Sequence, residues 1–166
     1  MADVDRLLEE ADKQLNQFEY EDAYEKFSDL LEEDLEDEKL VARAHFGKAE
    51  AALGINEVEI EDILDDYEKA IELDDNPFYR QAAAGFCIDI GKFEQAEKHY
   101  RKAAELDPDN EQHYLSDLAV GYRYKAPIMM EEYVEQAGED IILRKSLNYM
   151  LEALDIDKEK AKELLG

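Results

Sequence analysis

Along most of the chain, apolar positions recur at spacings of three and four residues, the period of a helix with one buried face. FYRQAAAGFCID and EQAEKHYRKAAEL each read as such a helix, with IGKF turning between them. Gly91 supplies the left-handed conformation that closes the first helix, and Phe93 staples the turn. Pro108 then stops the second helix. Within that second helix Ala96, Tyr100 and Ala103 share one face. A solitary amphipathic helix would fill such a stripe with Leu or Ile. Two alanines in three inward positions therefore predict another backbone pressed close against it.

Neighbouring segments repeat the arrangement. FEYEDAYEKFSDLLEED places Tyr20, Ala23, Phe27 and Leu30 as Phe93, Ala96, Tyr100 and Ala103 are placed. AHFGKAEAALG predicts a first helix with Gly47 at a close-contact position and Gly54 at its end. DILDDYEKAIELDDN answers it with Ile63, Tyr67 and Ala70, and INEVEIED between them reads as an extended loop. EQHYLSDLAVGYRYK begins a further first helix, but YKAPIMMEEYVEQAG does not continue the pattern, although Pro127 can open a helix at its first position. IILRKSLNYMLEALDI predicts a longer amphipathic helix and DKEKAKELLG a short final one.

Small residues at Ala84, Gly91, Ala96 and Ala103, with Phe93, Tyr100 and Pro108, give the stretch Pro77 to Asn110 a clear likeness. It resembles the tetratricopeptide repeat. The resemblance spans roughly Val4 to Tyr124, and is fullest in that one repeat. It implies an all-α fold, a right-handed superhelical stack of helix-turn-helix repeats with a C-terminal capping helix pair. Repeats are expected at about 4–37, 40–76 and 77–110, a degenerate one at 111–136, and capping helices at about 139–165, all in a single domain. The tail would close the hydrophobic end of the stack, with Ile142, Leu147, Met150, Leu151 and Leu154 facing inward.

Composition narrows the function. The 166 residues carry 45 acids against 19 bases, a net charge of -26. A field of that sign repels nucleic-acid phosphates and anionic membranes, so neither is an expected partner. Solubility accounts for such charge in its plainest reading; a basic protein partner is the sharper one. No apolar run is long enough to span a bilayer, and MADVDRLLEE lacks the features of a signal peptide. A single cysteine, Cys87, provides no internal disulfide framework and fits a reducing cytoplasm. Its place in the best repeat marks it as a small buried hydrophobe. The chain is expected to be soluble and cytoplasmic, as a monomer or weak homodimer.

No catalytic constellation emerges. His45, His99 and His113 lie in separate helices without metal-ligand spacing, and HExxH, CxxC and phosphate-loop motifs do not occur. The runs DLLEEDLEDE and EVEIEDILDD lack the alternation and central glycine of a calcium loop. A non-enzymatic protein without cofactor or metal is expected.

What the resemblance implies instead is binding of another protein, as a peptide or helix, in a concave groove lined by the first helices. The groove positions map onto Asp12 and Asn16, then Ala44, His45, Lys48 and Ala52, then Phe78, Gln81, Ala82, Gly85 and Asp89, with Tyr122 extending the surface. The clamp that related co-chaperones use for a C-terminal carboxylate would need cationic or amide groups at Leu8, Asp12, His45, Phe78 and Ala82. Only His45 could donate, and Asp12 would repel the ligand, so that chemistry is not expected. The alternative reading is an acidic chaperone or charge mimic that shields a basic protein through its convex acidic faces.

Overall fold

The computed structural model describes residues 2–33, 35–125, 136–157, 159, 160 and 163. Among them every regular element is helical: α1 (Ala2–Asn16), α2 (Tyr20–Glu32), α3 (Glu38–Ala52), α4 (Ile60–Leu73), α5 (Pro77–Asp89), α6 (Phe93–Leu106), α7 (Glu111–Val120) and α8 (Gln136–Ala153). A 3-10 turn at Pro108–Asn110 precedes α7, and a π turn at Gly121–Lys125 follows it. The expected segment around Met129 and Met130 lies outside the described residues, as does most of the expected final helix.

Local chemistry sets the helix ends. The Asn76 side chain accepts from the Tyr79 amide at 3.0 Å, and Pro77 opens α5 where a missing N–H costs nothing. Asp37 does the same for α3 through the Lys39 amide at 2.9 Å. Gly91 takes φ 78°, the left-handed turn expected between α5 and α6. The matching turn between α1 and α2 has Phe18 at φ 63°, a side chain in a conformation that favours glycine. The expected long connection between α3 and α4 is present at residues 53–59.

The chain forms two compact units, Met1–Asp75 and Asn76–Gly166. In the first, α1 packs on α2, α2 on α3 and α3 on α4. Its core gathers Leu8, Ala11, Ala23, Phe27, Leu30, Ala44 and Ala51. Glycine is required at two of its contacts: a Cβ on Gly47 would fall on the Phe27 ring, and one on Gly54 on the Tyr20 ring. This unit also holds most of the charge. Residues 1–75 carry 27 acids and 7 bases, a net charge of -20 out of -26.

In the second unit α5 packs on α6, α6 on α7 and α7 on α8. Ala96 and Ala103 are fully buried and Tyr100 nearly so, as the alanine spacing predicts: α6 is covered by α5 and by α7. Cys87 is buried, as its place in the best repeat implies.

α8 corrects the expected register of the cap. Its buried residues are Ile142, Ser146, Tyr149 and Ala153, while Leu147 and Leu154 are exposed and Met150 and Leu151 half-buried. Ser146 decides this face, because its hydroxyl donates to the Ala119 carbonyl of α7 at 2.9 Å. Counting apolar residues favours the wrong stripe here. Ile142, Ser146, Tyr149 and Ala153 instead follow one another at steps of four, three and four residues, one continuous helical stripe. Its flank is polar. Lys145 reaches Glu97 at 2.8 Å, Tyr122 donates to the same carboxylate at 3.0 Å, and Arg101 reaches Glu152 at 3.2 Å. Burial would raise the Glu97 carboxyl, but the hydrogen bonds from Lys145, Tyr149 and Tyr122 outweigh it and hold the group below its ordinary range. Burial, reinforced by Glu97, pushes the Tyr149 phenol up to about 12.

Candidate partner-binding face

In the first unit, the positions expected to face a ligand are largely engaged by the protein itself. Asp12 on α1 is ion-paired with Arg43 on α3. His45 Nδ1 lies 2.7 Å from Asp66 Oδ1, and Lys48 Nζ 3.1 Å from Asp66 Oδ2, so α3 sends both groups to one buried carboxylate on α4. Lys48 also lies over the Tyr24 ring, 5.3 Å from its centroid. Burial alone would raise the Asp66 carboxyl. The His45 hydrogen bond and the Lys48 charge outweigh burial and lower it. Ala44 and Ala52 are buried, leaving Asn16 as the exposed member of the set.

Asp66 is the residue that sequence reasoning missed. It lies three places after Ile63 on the inward face of α4, between Ile63 and Tyr67, where a carboxylate demands a cation. Lys26 and His99 occupy the equivalent position in α2 and α6, three places after Ala23 and Ala96. Each also reaches its own first helix: Lys26 pairs with Glu10 at 3.2 Å, and Arg80 donates to His99 Nδ1 at 3.1 Å. A polar residue recurring at one inward position was the available signal.

The second unit is different. Phe78, Gln81, Gly85 and Asp89 follow one another at three- and four-residue steps, forming one face of α5. Phe78 is 62% exposed at one end of the stripe. Ala82 and Gly85 are half-buried, and a Cβ built on Gly85 meets nothing within 4 Å. The floor at Gly85 is therefore open backbone. Gln81 Nε2 donates to Asp117 Oδ2 on α7 at 3.0 Å and lies 3.0 Å from His113 Nε2, fixing one side. Exposed Asp89 pairs with Lys125 at 2.8 Å, which brings the π turn beside the far end of α5. Next to Lys125, Tyr124 is exposed, with the Arg123 guanidinium 5.3 Å from its ring centroid.

Tyr122, expected to extend this surface, does not. It is 5% exposed, stacked on Tyr149 with ring centroids 5.8 Å apart, and bonded to Glu97. The π turn rotates the chain after Val120, so that Tyr122 points inward and Tyr124 outward. His113, Asp117 and Lys125 were missed because they join the α5 face through tertiary pairing, which spacing within one helix does not reveal. Among the described residues no three His, Cys, Asp or Glu side chains converge as a metal site.

Residues 79–110 match the family model described as tetratricopeptide repeat. Among solved structures, the crystal structure of MamA superposes with a TM-score of 0.68 at 18% identity, covering 96% of this chain and 81% of that one. No curated protein matches the sequence. The tetratricopeptide resemblance is thus carried by the family model over one repeat, while the likeness to MamA, over nearly the whole chain, is one of fold.

Proposed function

We propose that this chain is a non-enzymatic protein-interaction module, an adaptor or assembly chaperone, whose partner lays a peptide or helix along the face of α5. One observation carries this reading: the stripe from exposed Phe78 to Asp89 crosses an open backbone floor at Gly85. An aromatic at one end can anchor an apolar side chain, and a glycine floor admits a main chain closely. Gln81, Asp117 and the Asp89–Lys125 pair offer polar edges that fix its direction. The resemblance to the tetratricopeptide family points to the same class of ligand.

Capture from native lysate at low and high salt, read by mass spectrometry, identifies the partner. Gly85→Gln and Phe78→Ser are then compared with the parent protein in circular dichroism and in affinity, on the same samples. Intact helicity with lost affinity supports the α5 face. Unchanged affinity in both variants refutes it and moves binding to the acidic faces. The concentration of charge on residues 1–75 favours those faces as the second reading, an acidic chaperone or charge mimic that shields a basic protein.

A further inference from the structure

The first unit contains an open cavity of about 890 Å³, lined by Val4, Leu35, Leu40 and Leu73 and by the acidic turn Glu36, Asp37 and Glu38, with Lys39 beside it. Two properties coincide there. The leucines and Val4 are half-buried, and Val4 and Leu40 continue the core formed by Leu8, Phe27 and Leu30. The cavity floor is thus an extension of the hydrophobic interior that solvent still reaches. The rim, by contrast, is anionic. Asp37 is committed to capping α3, but exposed Glu36 and Glu38 enter no ion pair among the described residues. They lie in the unit that carries a net charge of -20.

We infer that this cavity is a docking site for a basic amphipathic segment, a short stretch in which Lys or Arg flank one or two large aliphatic side chains. An apolar floor ringed by carboxylates selects that chemistry twice. An acidic or neutral segment meets repulsion or gains no attraction at the rim, and a basic segment without aliphatic groups leaves the floor wet. The site is separate from the α5 face. It rests on the acidic-chaperone reading and goes beyond it, because a charge mimic needs no pocket at all.

The test uses the full chain and two synthetic peptides followed by fluorescence anisotropy. One carries two leucines four residues apart among lysines and arginines; the other replaces both leucines with serine at unchanged charge. The leucine peptide is expected to bind at least about tenfold more tightly, the effect of burying part of a leucine side chain. Leu35→Ser removes that preference while leaving the serine peptide unaffected. Glu36→Gln with Glu38→Gln, both exposed and harmless to the core, weakens both peptides and flattens their salt dependence. These two results together establish the site. Equal binding of the two peptides overturns the pocket while leaving the acidic-face reading intact, and binding of neither overturns both. A leucine preference that survives Leu35→Ser also overturns it, because the apolar contact then lies elsewhere.

Discussion

Gly47 and Gly85 both occupy the interiors of helices, α3 and α5, and the same substitution should move them in opposite directions. Replacing glycine by alanine in a helix interior gains about 1 kcal/mol of propensity. At Gly85 nothing within 4 Å opposes the new methyl group, so Gly85→Ala is expected to stabilise by up to about 1 kcal/mol. At Gly47 the methyl falls onto the ring of Phe27, which is fully buried and cannot swing into solvent. Overpacking of this kind costs about 1–3 kcal/mol, which cancels or exceeds the propensity gain. Because that gain is common to both variants, the difference between them isolates the ring contact at about 1–3 kcal/mol. For a chain of this length each kcal/mol moves the thermal midpoint by about 2–4 °C. Urea unfolding followed by circular dichroism measures both variants against the parent. Phe27→Leu in the Gly47→Ala background should cost less than the sum of the two single changes, since each relieves the other. Equal midpoints for the two alanine variants, or strict additivity in the double mutant, would refute the close contact between α2 and α3.

Other expectations follow from the same contacts. Ala96→Leu should lower stability by about 1–3 kcal/mol, and an unchanged urea midpoint would sink the packing of α6 between α5 and α7. Asp66 ionises at lower pH when folded than when unfolded. Its contribution is therefore complete above the ordinary value of 3.8 and is lost as pH falls through the folded value; Asp66→Asn should flatten that acid limb of the stability curve. Lys48→Glu sets a second carboxylate against Asp66 and should destabilise by about 1–3 kcal/mol, so lost affinity in that variant reports folding rather than ligand repulsion. Phe18→Gly relieves a left-handed conformation at an exposed side chain and should raise stability in urea unfolding by up to about 1 kcal/mol; a fall would mean that the contact with Tyr20 outweighs the strain.

The fold was legible because helix-stack chemistry is local. Gly91, Pro108 and the Ala96–Tyr100–Ala103 spacing each act within one turn or one helix, and the structure places them as their spacing implies. The α8 register was not legible, because a hydroxyl bonded to the Ala119 carbonyl chose a buried face that leaves Leu147 and Leu154 exposed. At the candidate site, the residues of α5 could be read from one helical face. His45 and Lys48 were read as facing a ligand because family positions specify where a side chain starts, not where it ends. Their ends were decided by Asp66, on the next helix and buried. Tyr122 failed for a related reason: a π turn advances the chain by a different angle from the α-helix on which spacing arguments rest.

The recurring inward polar position bears on how a chain of similar helices finds the correct neighbours. Look-alike segments can exchange places during folding, a hazard peculiar to repetitive sequences. Here each helix carries a different address. Lys26 demands the anion Glu10, Asp66 demands His45 and Lys48 of α3, and His99 accepts from Arg80. Were α2 to take the place of α4 against α3, Lys26 would meet Lys48; were α4 to take the place of α2 against α1, Asp66 would meet Glu10. Each swap sets like charges together in a half-buried place, where the penalty is steep. The apolar stripes make the helices interchangeable, and three dissimilar side chains take that freedom away.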